Sequence, residues 1–347
     1  MLRAGSQCRL LGAGDRRADS TLFPDPNRIS PLSLSLARFK SGFFNPPLQR
    51  LVSHKQNILT AQSGFALERR GGAVSGESRV VIVSSRADPA SQNIAESLIK
   101  RHGFGLSPTD GSSVYRVGDL RLAIIDEIGI HAQPAYIPGN ATSIIFASKH
   151  VSVTGTPALT VHATGNLGNK AEFGGSPGEV SYVDAAMVRA ALREFKTRVS
   201  EEHLLIDVTM EATHHGPTSF PVPVCFVEIG SGPKEWSDPL LGGIAADAIV
   251  AAARAIRGTD SSAVGFGGTH YAAKHTRICM DGEYQVGHVI PKHAFESGVT
   301  DSVIRDTFRR TIGKCNTALL DWKGLRSEDR QRLTASLENW QIEVVRA

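Results

Sequence analysis

A chain of 347 residues, 41% of them apolar, can bury a large core and needs no covalent staples to fold. Its four cysteines, Cys8, Cys225, Cys279 and Cys315, form no CxxC pair, which argues against a cysteine zinc site and a secreted disulfide framework; no uncharged apolar run reaches the roughly eighteen residues that suit a membrane span. The net charge of +4 is unevenly divided: residues 1–78 hold 11 Lys/Arg and 5 Asp/Glu, so the remainder carries −2 and would meet an anionic partner through a local basic patch.

Residues 1–78 are rich in Arg and Ser and broken by Pro24, Pro26, Pro31, Pro46 and Pro47, without a sustained strand or helix period. They read as a disordered leader or a transit peptide, the latter weakened by Asp15, Asp19 and Asp25. A folded domain is expected over 79–347. It opens with the β-branched strand 79-RVVIVSS-85 and a helix from Pro89 to Gly103, proline suiting the first turn and glycine the end. Apolar strands follow at 120-LRLAIID-126, 142-TSIIFAS-148 and 158-ALTVHA-163, then a helix over 181–199 with Ala185, Val188, Leu192 and Phe195 in register. Strands are expected again at 204-LLIDVTMEA-212 and 222-VPVCFVEIG-230, a helix over 239–256, strands at 262-SAVGFGG-268 and 284-YQVGHVI-290, and closing helices over 300–312 and 327–340. Nearly all-apolar strands need cover on both faces, so the economical architecture is an α/β protein, a three-layer α/β/α sandwich with a mixed sheet. Neither GxGxxG nor GxxxxGK[ST] is present, which removes the usual support for dinucleotide and P-loop chemistry.

Histidine is the informative residue, because most of the twelve fall within or just after predicted strands, where α/β proteins place their sites. In 211-EATHHGPTSF-220, continued strand alternation would put Glu211 and His215 on one face and His214 on the other, while Thr218 and Ser219 offer hydroxyls after the Gly-Pro break. In 265-GFGGTHYAAKHT-276, glycines precede His270, Lys274 and His275; a five-residue histidine spacing does not share a helical face, so joint chelation requires a loop. His288, in 284-YQVGHVI-290, lies on an otherwise apolar face and is either a buried, hydrogen-bonded histidine or a ligand. The segment 148-SKHVSVTGTPALTVHATGN-166 adds His150 and His162, and Lys149, His150 and Lys170 supply positive charge suited to phosphates or to an ordinary solvated loop.

Taken together, SKHVSVTGTPALTVHATGN, MEATHHGPTSFPVPVCFVEIGSGPKEWSDP, GFGGTHYAAKHT and YQVGHVIPKH resemble the D-aminoacyl-tRNA deacylases of archaea and plants, the GEKO-like type, from about Arg79 to the end. The resemblance implies a fold similar to nucleoside phosphorylases and peptidyl-tRNA hydrolases, and a zinc-dependent hydrolysis of the ester joining a D-amino acid to the tRNA 3′ end. In plants it also implies action on aminoacyl groups modified by aldehydes. On that footing His214, His270, His275 and His288 are the expected zinc ligands and Glu211 or His215 the base. Lys149, Lys170 and Lys274 are the expected tRNA contacts, with His150, His162 and Thr218 as further site candidates. Four ligands exceed the three of a typical catalytic zinc site, so either two ions bind or some histidines act on substrate. A monomer is expected, cytoplasmic or directed by the leader to plastid or mitochondrion. The competing readings are a non-catalytic tRNA-end or nucleotide-binding protein, a metal-free esterase that uses the tRNA's own hydroxyl, and a nucleoside phosphorylase-like enzyme.

Overall fold

A computed structural model of the chain describes residues 79–255 and 262–347; the leader expected over 1–78 lies outside the described residues. The described chain begins with strand β1 (Val80–Ser85) and helix α1 (Pro89–His102). Asp88 caps α1 by accepting from Ser91 N, and Gly103 ends it at φ 72°. β2 (Gly105–Leu106), β3 (Val114–Val117) and β4 (Leu120–Ile125) form an antiparallel edge. β5 (Ser143–Lys149), β6 (Ala158–His162), helix α2 (Ala185–Glu201), β7 (Asp207–Met210) and β8 (Val224–Gly230) complete an eight-stranded mixed sheet of order β2-β3-β4-β1-β5-β8-β6-β7.

After the short α3 (Pro233–Trp236) and α4 (Pro239–Ala253) the chain builds a second sheet, from β9 (Ser262–Phe266), β10 (Gln285–Ile290), β11 (Cys315–Leu320) and β12 (Glu343–Arg346), all parallel in the order β10-β9-β11-β12. Helices α5 (Ala273–Asp281), α6 (Lys292–Glu296), α7 (Asp301–Arg309) and α8 (Ser327–Asn339) connect these strands. The α/β sandwich with a mixed sheet expected from the sequence is present, divided between two sheets. A single core runs through both, joining Ile82, Leu159 and Val227 of the first sheet to Ala263, Val286 and Leu319 of the second by way of α2 and α4.

Alternation then decides which side of the large sheet is left for chemistry. In β8, Cys225, Val227 and Ile229 pack toward the helices, while Val224 and Phe226 join Phe146 and Phe220 on the opposite face. That second face is covered by the 3-10 turns Gly129–His131 and Pro134–Tyr136 and by the Phe220 segment rather than by long helices. Glu228 follows the parity of Phe226, and its cross-strand partner Thr160 donates to it at 3.2 Å. His162 pairs with Phe226 and stacks on its ring at 5.3 Å. The polar residues on this helix-free face mark where the sheet changes from parallel pairing, β5 with β8, to antiparallel pairing, β8 with β6.

Candidate active site: a histidine and carboxylate cluster

Five segments bring the cluster together, β8 supplying Glu228. His150 follows β5, His162 ends β6, Glu211 to His215 follow β7, and His270 precedes α5. The strand expected to run through Ala212 stops at Met210, and the chain then pairs with the 270–272 segment: Ala212 N donates to His270 O at 2.8 Å and Ala272 N to Met210 O at 3.0 Å. This short exchange, foreign to both flanking sheets, carries His270 to Glu211, where Nε2 lies 2.7 Å from Oε2. Alternation therefore fails at the two adjacent histidines. His215 turns into the left-handed region at φ 41°, and its ring lies 4.3 Å from that of His214 instead of on the opposite face. Both meet His162, at ring distances of 4.2 and 4.8 Å.

Three of these imidazoles share one bonding pattern. Nδ1–H of His162 donates to Ala163 O at 3.1 Å, that of His214 to Ala212 O at 2.8 Å, and that of His215 to Gly216 O at 2.6 Å. A carbonyl only accepts, so each contact fixes the tautomer and leaves Nε2 to point inward. His162, His214 and His215 each bring a ligand atom within 4.8 Å of the others, and His162 Nε2 is buried without a hydrogen bond. That nitrogen, 3.7 Å from Glu228 Oε2 and beside two neutral imidazoles, fits a divalent cation that prefers imidazole, zinc above all. A second set, Glu211, His214 and His270, meets the same distance limit, but there Glu211 and His270 already satisfy one another.

Behind the histidines lie two carboxylates. Glu211 and Glu228 are 1% and 3% exposed, a burial that requires charge partners. His150 supplies them: Nδ1 is 3.1 Å from Glu211 Oε1 and 3.7 Å from Glu228 Oε2, and Nε2 is 2.6 Å from the Tyr271 hydroxyl. Burial alone would favour a neutral imidazole, yet the two carboxylates raise His150 to about 11. Burial likewise opposes ionisation of Glu228, and His150 and His162 outweigh it, bringing the carboxyl to about 2. Glu211 is held well below its ordinary value against its burial by His150 and His270. His214 and His215 move the other way, lowered first by burial and then by His162, His215 to about 4. They stand neutral, as a ligand nitrogen must be to coordinate. His162 is raised by Glu228 despite its burial, so cation binding there displaces a proton.

Two of the four expected zinc ligands stand apart from the cluster. The helix α5 begins at Ala273 and carries His275 to the far side, where it is buried and its Nε2 donates to Leu319 O at 3.1 Å. His288 uses both nitrogens: Nε2–H donates to Ser181 O at 3.0 Å and Nδ1 accepts from Thr213 Oγ1 at 3.1 Å. Both are structural histidines, and the expectation that they ligate zinc is corrected. Burial, with Arg310 adding to it, lowers His288 from 6.5 to about 4. A base with a depressed folded pKa stabilises the protein above its unfolded value and loses that contribution as pH falls through the folded one. The fall in unfolding free energy between pH 6.5 and about 4 should therefore shrink in a His288→Gln variant, by up to about 3 kcal/mol. Denaturant titrations at both ends of that window measure it, and parallel curves for the two proteins would rule it out.

The remaining expected contacts scatter. Lys149 lies over the Trp236 ring at 5.4 Å, Lys274 pairs with Asp321 at 2.5 Å, and Lys170 is exposed beside Glu172 at 3.5 Å. Of the three, Lys170 lines the cavity of about 540 Å³ that opens onto His214 and His215. Thr218 accepts from Ser176 N at 3.0 Å and donates to Glu179 at 2.8 Å, so it fastens the cavity loop to the histidine segment. The same junction explains Gly216: a Cβ there would come within 2.3 Å of Gly175 N. Sequence reasoning passed over Glu228 and Tyr271. A lone carboxylate inside the otherwise apolar VCFVEIG strand was the available signal for the first; the second carried none.

The model of the D-aminoacyl-tRNA deacylase family matches residues 138–345, which include every member of this cluster. A curated D-aminoacyl-tRNA deacylase of Methanosarcina mazei is 36% identical over 282 residues, covering 78% of this chain and 92% of that protein. Those of Pyrococcus horikoshii and Thermococcus onnurineus are 36% and 34% identical, with 77% of this chain and 99% of each relative covered. Among solved structures, a conserved protein of unknown function superposes with a TM-score of 0.70 at 29% identity, over 78% of this chain and 95% of its own. Matched over most of its length by model and relatives alike, the chain belongs to the D-aminoacyl-tRNA deacylase family.

Proposed function

We propose that the protein hydrolyses the ester between a D-amino acid and the 3′-terminal ribose of tRNA, with zinc held by Nε2 of His162, His214 and His215. The observation that carries this reading is the trio of imidazoles pinned through Nδ1–H to backbone carbonyls, with His214 and His215 at an open cavity. A zinc ion bound there supplies Lewis acidity at neutral pH. The rest is done by the chain. Glu211, anionic and buried, is the proton acceptor, and His270, 2.7 Å from it with 39% of its side chain exposed, connects it to solvent. His150 and Glu228 fix the position and charge of Glu211 from behind. Hydrolysis forms a bond from water oxygen to the ester carbon, breaks the bond to the ribose oxygen, and delivers a proton to that oxygen. Selectivity for the D configuration, action on aldehyde-modified aminoacyl groups and a role in translation quality control belong to the same reading and rest on family membership. No described helix is long and apolar enough to cross a membrane.

The full chain incubated with D- and L-aminoacyl-tRNA should release the D-amino acid preferentially and without added phosphate. A chelator should suppress release by roughly a hundredfold or more, and zinc should restore it. Equal rates on the two enantiomers, or release that ignores the chelator, would overturn the proposal; a phosphate requirement would favour the phosphorylase-like reading.

A further inference from the structure

We infer that Phe173 is the stacking platform for the 3′-terminal adenine of the tRNA. The inference rests on the proposed substrate and assigns one part of it to a named surface. Phe173 lines the same cavity as His214 and His215 and presents 64% of its surface to solvent there. It is nevertheless held in place. Gly216 N donates to Phe173 O at 3.0 Å, directly after the two histidines, and Asn166 Nδ2 donates to Gly174 O at 2.8 Å on the other side. The backbone bearing the ring is thus fastened by hydrogen bonds to the segment bearing the candidate ligands.

Two groups could meet this ring: the aminoacyl side chain or the base of the nucleoside esterified to it. The aminoacyl side chain differs from one substrate to another, whereas adenosine ends every tRNA, and a fixed aromatic face suits the constant part. The surroundings agree. Lys170, with 78% of its side chain exposed and 3.5 Å from Glu172 of the same lining, stands three residues away on the cavity wall, where a phosphate leading into the terminal nucleotide would compete with that carboxylate for the cation. Asn169 and Ser297 add polar groups to the same lining. An apolar face, a cation and amide and hydroxyl groups around one opening form the combination that receives a nucleotide.

The test uses deacylated tRNA whose terminal adenine is replaced by fluorescent 2-aminopurine, so that it does not depend on hydrolysis. Binding to the wild-type full chain should quench the fluorophore, Phe173→Trp should retain the quenching, and Phe173→Ala should lose it and weaken affinity about tenfold, within the range of one base–aromatic contact. For hydrolysis, the loss in Phe173→Ala should fall mainly on KM and be similar for D-alanyl- and D-tyrosyl-tRNA. Unchanged quenching in Phe173→Ala overturns the inference, as does a KM effect confined to the aromatic aminoacyl group, which would give the ring to the amino acid instead. Absence of hydrolysis in wild type with quenching intact would defeat the proposed reaction and leave the adenine platform standing.

Discussion

Replacing His214 with alanine should remove roughly a thousandfold from kcat/KM and lower bound zinc from about one ion per chain to a small fraction of that. His214 is the imidazole shared by the His162–His214–His215 and Glu211–His214–His270 sets, and its Nδ1–H bond to Ala212 O holds its Nε2 in place. His275→Ala is the informative companion. It deletes a more deeply buried histidine only five residues from His270, but on the far side of α5, and should leave the metal content unchanged while lowering stability. Metal analysis of the purified variants reads both. Equal loss of zinc in the two, or none in either, would show that the ligand set is wrong.

Removal of the Glu228 carboxylate should have the largest effect on stability. It lies within 3.7 Å of both His150 and His162, and truncation to alanine leaves two buried imidazoles facing one remaining carboxylate. Breaking a buried ion pair from one side typically costs about 3–5 kcal/mol, because the abandoned partner must either stay charged in a poor solvent or give up its proton. Glu228→Ala should be destabilised by an amount in that range, and a double variant that also carries His150→Gln by less than the sum of the two single losses. Urea titrations of the four proteins close the cycle. Strict additivity would mean that His150 and Glu228 do not share the charge.

Much of this arrangement is legible in the sequence. The β-branched run at 79–85 and the helix with Pro89 and Gly103 at its ends appear where local propensity places them, since nothing in the tertiary environment opposes it. The gathering of histidines at strand ends is also legible, through His150, His162 and the 211–215 corner. What escaped depends on events outside any short window. Strand periodicity carried past Met210 puts His214 and His215 on opposite faces, but the chain leaves the sheet there to pair with 270–272, a partner some sixty positions away. Joint chelation by His270 and His275 requires a loop between them, yet α5 starts at Ala273 and removes His275 from the site that His270 joins. The parallel pairing of β11 and β12 into a separate sheet gave no signal in CNTALL and EVVR, which are too short to separate from their surroundings. Glu228 was hidden by its neighbours, because a strand that is apolar on both faces draws attention away from its one acid.

The exchange of hydrogen bonds between 210–212 and 270–272 also governs how the protein can open. Thr213 N donates to Val289 O, so the corner carrying Glu211 and the histidines is bonded to β10 and to the lead-in of α5 at once, while its other side is bonded to β6. The site is a clasp between the two sheets. Either sheet can loosen at its outer edge, at β2 or β12, without disturbing the clasp, but parting the sheets from one another dismantles it. Amides at Ala212, Thr213 and Ala272 therefore belong to one cooperative unit, and a ligand held by the corner resists separation of the two sheets without touching the second.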